Sequence, residues 1–213
     1  TAVHHAVAVP SMEERLAWKK LLFFGSIRRN KGLHLLLQAA EALPGYSITI
    51  AGEPTDGDYF RNEIVPQIRQ LRERGMKIDL RDHFIPNAEL AELFASHSAI
   101  VLPYTSEFVA QSGVVFMALA YEIPVVASEA GGLKDLLKKF KIGVNCSAAT
   151  ADGLAAGVNA LFALDMRSQL EREIQAARRH YSWQKAAAAT IDGYLAATPA
   201  VEENACTLET TAA

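Results

Sequence analysis

Short apolar runs alternate with amphipathic segments along most of this chain. The apolar runs predict buried strands at Leu21–Phe24, Tyr46–Ala51, Met76–Leu80, Ala99–Leu102, Pro124–Ala127 and Ile142–Asn145. Apolar residues at helical spacing, together with capping and turn residues, predict helices at Lys31–Leu43, Asp56–Arg74, Ala88–Ser96, Val114–Tyr121, Leu133–Lys139, Thr150–Leu164, Met166–His180 and Trp183–Leu195. Strands that alternate with helices predict an α/β domain of three layers, α/β/α, with a mostly parallel sheet and a helical C-terminus.

The same pattern predicts three segments: a linker or short charged helix at 1–20, the α/β domain at 21–197, and a disordered polar tail at 198–213. Within the domain, Pro66 should kink or split the helix predicted at Asp56–Arg74, because proline lacks the amide that an inner helical turn requires. Gly75 should end that helix.

Composition and charge exclude several classes of function. The net charge is −3 and the pI about 6.1, so no basic surface for nucleic acid is predicted. Cys146 and Cys206 form no CxxC pair, which fits a reducing compartment and predicts no zinc site. No apolar run reaches the roughly 18 residues of a membrane span, and no signal peptide is predicted at the N-terminus.

Two loops rich in glycine and polar residues follow predicted strands and should face one crevice, because ligands of such sheets bind beyond the carboxyl ends of the strands. The first offers Gly25, where backbone can approach a ligand, and the cations Arg28, Arg29 and Lys31. For any one of these cations, a solvated turn is the alternative. No GxGxxG and no P-loop motif is present.

The second loop leads into an apolar helix that Ser112 should cap, and Gly113 lets a ligand approach its backbone. The first amides of a helix and its dipole attract anions, so the amides of Gln111, Ser112 and Gly113 could bind a phosphate. An ordinary capped core helix is the alternative. Glu107 could meet a substrate hydroxyl or be a solvated charge, and Glu53 could face the crevice or cap a helix.

In this order, the motifs resemble the C-terminal domain of GT-B glycosyltransferases of family 4 over Leu21–Leu195. The matching stretches are FGSIRRNKG at 24–32, AGE at 51–53, FIP at 84–86, VLPY at 101–104, QSG at 111–113, PVVAS at 124–128, GGL at 131–133 and YSW at 181–183.

The resemblance implies a Rossmann-like half of a GT-B fold that binds a nucleoside diphosphate sugar, most readily a UDP or GDP sugar. It implies sugar transfer with retention, without a bound metal or other cofactor, in a pathway such as polysaccharide synthesis. The implied catalytic residues are Arg28, Lys31 and Glu107. The implied donor-binding residues are Gly25, Ser26, Glu53, Phe84, Ile85, Pro86, Tyr104, Gln111, Ser112 and Gly113.

The family also has an N-terminal domain that binds the acceptor, and this chain is about half the length that both domains need. We therefore expect an isolated donor-binding half without turnover, located in the cytoplasm or, through the other half, at the cytoplasmic membrane face.

Three positions depart from the family pattern. Val109 and Met117 stand where many members carry a Glu-x7-Glu pair, and Ser26 stands where many carry arginine, for which Arg28 is the expected substitute. A non-catalytic module that acts as a partner or regulatory subunit is therefore an alternative. A different α/β protein would need an acidic phospho-acceptor cluster or a Tyr-x3-Lys pair, and neither is in place.

Overall fold

The computed structural model describes residues 9–146, 149–163, 165 and 167–197. Its centre is a six-stranded sheet of order β3-β2-β1-β4-β5-β6, and all pairings between these strands are parallel. The strands are β1 Lys20–Phe24, β2 Ser47–Ala51, β3 Lys77–Arg81, β4 Ala99–Leu102, β5 Val125–Ser128 and β6 Gly143–Cys146. Each predicted strand lies within one residue of the observed one, and the predicted fold class is confirmed.

Burial follows the position of each strand in the sheet. Every residue of β4 and β5 is buried, whereas β3 and β6, at the two edges, leave part of their residues exposed. Inner strands of a parallel sheet are covered on both faces, which is why their sequences are apolar without alternation.

Helices on both faces of the sheet complete the three layers. They are α1 Met12–Ala17, α2 Leu33–Ala40, α3 Gly57–Tyr59, α4 Val65–Glu73, α5 Asn87–Ala95, α6 Gly113–Ala120, α7 Leu133–Lys139, α8 Ala151–Phe162 and α9 Arg167–His180. A further helix, α10 Trp183–Ala197, follows them in the chain.

Two helices differ from the predicted ones. The helix predicted from Lys31 begins only at Leu33, since Arg29–Lys31 is a 3₁₀ turn and Gly32 adopts a left-handed conformation with φ +68°. Between α3 and α4, the chain forms a π-helical turn, Phe60–Ile64, directly before the turn that contains Pro66. A widened turn is one way to accommodate a proline within a helical segment, so the predicted interruption takes this form.

Helix α1 is anchored in the core rather than being a free linker. Met12 and Leu16 are buried, and Arg15 is fully buried. The Arg15 guanidinium donates to the carbonyl oxygens of Phe94 at 2.9 Å, His97 at 2.6 Å and Tyr121 at 3.2 Å.

The described residues up to Arg179 form one compact unit, and those from His180 onward form a second, which contains α10. Helix α10 has no buried residue. The predicted tail at 198–213 lies outside the described residues. No helix among the described residues is long and apolar enough to cross a membrane.

Candidate functional site

The loops that follow β1 and β4 lie side by side, because β1 pairs with β4 on one edge and with β2 on the other. This is the point at which the strand order reverses, where ligand crevices form in such sheets. The Thr105 amide donates to the Asn30 carbonyl at 3.1 Å and ties the two loops together.

Two glycines make this close approach possible. A Cβ on Gly32 would lie 1.8 Å from the carbonyl oxygen of Pro103, and a Cβ on Gly52 would lie 2.1 Å from that of Gly25. Gly25 and Gly52 also have positive φ, at +110° and +150°. Any side chain at Gly32 or Gly52 would push the strand ends apart, so these positions require glycine.

The Lys31 side chain is almost entirely buried, at 7% exposure, where the two loops meet. Its Nζ donates to the Tyr104 hydroxyl at 2.9 Å and lies 4.4 Å and 5.1 Å from the ring centroids of Tyr104 and Phe108. Burial, with a smaller contribution from the charge of Arg28, lowers the pKa of Lys31 from 10.5 to about 8. No carboxylate among the described residues lies within ion-pair distance of Lys31.

The Ser112 side chain does not cap α6, which corrects the sequence-based prediction. Ser112 occupies the N-cap position, but its buried hydroxyl lies 3.1 Å from the hydroxyl of Tyr104. The N-terminus of α6 therefore has no side-chain cap. Gly113 opens onto free space, since a Cβ there would meet no atom within 4 Å. An anion can approach these amides without displacing a side chain.

A polar, open cavity of about 750 Å³ lies outside this cluster. Its lining consists of Arg28, Arg29, Asn30, Thr55, Asp56, Gly57, Asp58, Arg61 and Glu107. Lys31, Ser112 and Gly113 are absent from that lining, so the structure places the predicted cations Arg28 and Lys31 in adjacent but separate environments.

Three of the six charged side chains that line the cavity are already in ion pairs. Arg29 pairs with Glu63, and Arg61 pairs with Asp58 at 2.9 Å. Arg28 and Glu107 are exposed and have no ion-pair partner among the described residues. Asp56 also has no ion-pair partner among the described residues, but its carboxylate accepts from the Tyr59 amide. Arg28 and Glu107 are therefore the cavity charges without a hydrogen-bond or ion-pair partner among the described residues, and a ligand could meet them.

The sequence reasoning missed the cavity wall formed by residues 55–58 and Arg61. Asp56 could have indicated this wall, because it directly follows the loop after β2 and is a typical N-cap residue. It caps α3 by accepting from the Tyr59 amide at 3.1 Å. It also missed Phe108, an apolar residue in a loop interpreted as polar, whose ring lies 4.3 Å from that of Tyr104.

The segment Phe84–Pro86 follows β3, two strands away from β1. Phe84 is 71% exposed, Ile85 is buried in the core, and Pro86 precedes α5 without capping it through a side chain. Glu53 is exposed, and its carbonyl accepts from the Ile27 amide at 2.9 Å. None of these four residues lines the cavity.

The Gln111 side chain packs against the turn at Gly131 and Gly132. A Cβ on Gly132 would lie 1.8 Å from Oε1 of Gln111, and one on Gly131 would lie 2.4 Å from the carbonyl oxygen of Ala110. The glycine pair therefore supports the loop that leads into α6.

A family model described as "Glycosyl transferases group 1" matches residues 18–163. The chain belongs to this family. The glycogen synthase of Mycobacterium tuberculosis is 32% identical over 186 residues, which are 84% of this chain and 42% of that relative. This group 1 chain thus spans less than half the length of that relative.

Two solved structures share the fold of this group 1 domain. Anabaena HepE in complex with UDP superposes with a TM-score of 0.72 at 19% identity, over 87% of this chain and 51% of HepE. The C-terminal domain of the group 1 glycosyl transferase LpcC from Francisella tularensis superposes with a TM-score of 0.66 at 16% identity, over 82% of this chain and 93% of that domain. The fold is thus of the GT-B type.

Val109 and Met117, which stand at the positions of the expected Glu-x7-Glu pair, differ in their surroundings. Val109 is 86% exposed, whereas Met117 is partly buried and packs against the core. Glu107, two residues before Val109, faces the cavity instead.

Proposed function

We propose that this chain is the donor-binding, C-terminal half of a retaining, metal-independent glycosyltransferase of family 4. The whole enzyme would transfer a sugar from a nucleoside diphosphate sugar to a glycan, lipid-linked or small-molecule acceptor. One observation carries the proposal: Lys31, a nearly buried cation with no carboxylate partner among the described residues, lies beside the uncapped N-terminus of α6 at the switch point of the sheet.

This arrangement suits the departure of a diphosphate. As the bond to the sugar breaks, negative charge grows on the leaving phosphate oxygens. Lys31 and the first amides of α6 are positive groups fixed in place before the reaction, so they stabilise that charge without reorganising. The exposed Arg28 adds a further positive charge from the cavity. Glu107, which faces the same cavity as Arg28, is proposed to meet a hydroxyl of the transferred sugar.

The nucleotide base is proposed to lie beside Phe84–Pro86. The exposed ring of Phe84 offers an apolar face at the carboxyl end of β3, and burying such a ring against a base is favourable. A UDP or GDP sugar is the proposed donor. The UDP bound to HepE supports a UDP sugar.

The other half of the enzyme would hold the acceptor, so the present chain should bind the donor but not turn it over. The length of the glycogen synthase relative and the match to the C-terminal domain of LpcC support this division. The proposed location is the cytoplasm, with contact to the membrane face through the other half.

Calorimetric titration with UDP, GDP and ADP at low ionic strength tests the proposal, because salt would screen weak charge contacts. We expect saturable binding of one nucleotide over the others. The double variant Arg28→Ala, Lys31→Ala should lose at least about 100-fold in affinity, since each charge-assisted hydrogen bond contributes about 1.5–3 kcal/mol.

The double variant Lys20→Ala, Lys77→Ala is the matched control. It removes the same charge at the first residues of β1 and β3, on the amino edge of the sheet. If both double variants lost the same affinity, the loss would come from the change in net charge alone, and the diphosphate site would be refuted.

A non-catalytic partner or regulatory module is the second candidate, favoured by Val109 and Met117 at the positions of the usual acids. Sugar transfer by the full-length protein would exclude it. Nucleotide binding by this chain together with a full-length protein that transfers no sugar would favour it.

A further inference from the structure

The Tyr104 hydroxyl lies at the centre of the site, between Lys31 and Ser112. It is 2.9 Å from Nζ of Lys31 and 3.1 Å from Oγ of Ser112, and Tyr104 itself is 0% exposed. As placed, Tyr104 can act on a ligand only through these two neighbours. We propose that Tyr104 is a positioning residue that holds the Lys31 ammonium and the Ser112 hydroxyl toward a diphosphate, an inference that rests on the proposed function.

The hydrogen bonds of the cluster leave several donors without an acceptor among the described residues: two of the three ammonium protons of Lys31 and one hydroxyl proton. An ammonium donates only, so Tyr104 accepts from Lys31. Of the two hydroxyl protons, one lies between Tyr104 and Ser112, and the other has no acceptor among the described residues. A buried donor without an acceptor is costly, and an oxygen-rich anion would provide the missing acceptor. The cluster is therefore complementary to phosphate and not to a cation.

The chemistry of Tyr104 explains why it suits this task better than an acid. A carboxylate at this place would orient Lys31 but also neutralise it, and would repel a phosphate. A phenol accepts the same hydrogen bond without charge, and the faces of Tyr104 and Phe108 attract the ammonium through their quadrupoles. Lys31 is thus fixed in direction while its charge remains available.

The backbone of Tyr104 is fixed as well. Ser128, at the end of β5, donates to the Tyr104 carbonyl, and Gly32 packs against the preceding carbonyl of Pro103. Although Tyr104 lies in the loop after β4, its backbone is therefore held against the end of the sheet, which is what a positioning residue requires.

The first measurement is the titration of Lys31 in the 213-residue chain by NMR of ¹³C-labelled lysine, with the signal assigned by its absence in Lys31→Met. The groups that face Lys31 are Arg28 from its own loop and Tyr104 from the loop after β4. We expect an inflection near pH 8 in the wild type. In Tyr104→Phe it should fall by about one pH unit, because the ammonium loses an acceptor.

The second measurement is nucleoside diphosphate affinity at pH 7, with UDP as the probe. Tyr104→Phe should bind about tenfold more weakly. Tyr121→Phe is the control, since it removes a hydroxyl at the opposite end of α6 and should match the wild type in both measurements.

The outcomes separate the two proposals. Binding by the wild type and equal binding by Tyr104→Phe, with an unmoved Lys31 inflection, would overturn the role of Tyr104 alone. Weaker binding with an unmoved inflection would make Tyr104 a packing residue and also overturn it. A folded wild type that binds none of UDP, GDP and ADP would overturn the proposed function and the role of Tyr104 with it.

Discussion

Replacing Lys31 by methionine should stabilise the fold while weakening the donor site. The folded chain holds Lys31 in a buried place where its pKa is about 8, against 10.5 ordinarily. Since a factor of ten in protonation is worth about 1.4 kcal/mol, keeping Lys31 charged in the fold costs ~3 kcal/mol at pH 7. Methionine fills a similar volume without charge. It loses only the hydrogen bond to Tyr104 and the contacts of the ammonium with the rings of Tyr104 and Phe108.

The sign of the pH dependence follows from the same values. Between pH 8 and 10.5 the unfolded chain binds more protons at Lys31 than the folded chain, so wild-type stability rises with pH through this window relative to Lys31→Met. The gain between pH 7 and pH 10 should be about 2.5 kcal/mol.

Urea unfolding of both proteins at several pH values measures this difference, because every other titrating group contributes equally to both. The exposed Lys77→Met, at the amino edge of the sheet, is the control and should follow the wild type at each pH. A difference between wild type and Lys31→Met that stays constant from pH 7 to 10 would show that Lys31 is not buried as described, and would refute the reasoning.

Three further predictions use the same structure. Nucleoside diphosphate affinity should fall about tenfold from pH 7 to pH 9 as Lys31 deprotonates, and calorimetry on Lys31→Met should show no such step. Gly32→Ala should destabilise by at least about 3 kcal/mol because its Cβ would overlap the Pro103 carbonyl, whereas Gly45→Ala, which meets no atom within 4 Å, should cost about 1 kcal/mol in denaturant melts. Arg15→Leu should cost about 3 kcal/mol in thermal unfolding, since it leaves two buried carbonyls and one partly buried carbonyl without their donor; a change below 1 kcal/mol would contradict the described anchoring of α1.

The sheet could be predicted closely because its information is local. Runs such as Ala99–Leu102 and Val125–Ser128 are buried throughout, and their apolar composition shows directly in the sequence. Since the carboxyl ends of parallel strands meet at one edge, the neighbourhood of the two loops followed from the strand assignments alone.

The interior of the site could not be predicted, because it depends on contacts between distant residues. Lys31 and Tyr104 are 73 positions apart, and nothing local indicates that this lysine is buried or that this tyrosine is its acceptor. Ser112 has the ordinary signature of a helix cap, yet its hydroxyl forms a hydrogen bond with the hydroxyl of the same tyrosine instead. A pairwise tertiary contact overrode a correct local preference.

Two features of the site work against the stability of the fold, and both of them favour an anion. Lys31 is buried with no acid partner among the described residues, and Ser112 leaves α6 without a side-chain cap. An ordinary core would replace the lysine with an apolar residue and let the serine cap its helix. These costs share one place and one charge preference, so a bound diphosphate would relieve them together, which is the expected property of a preorganised site.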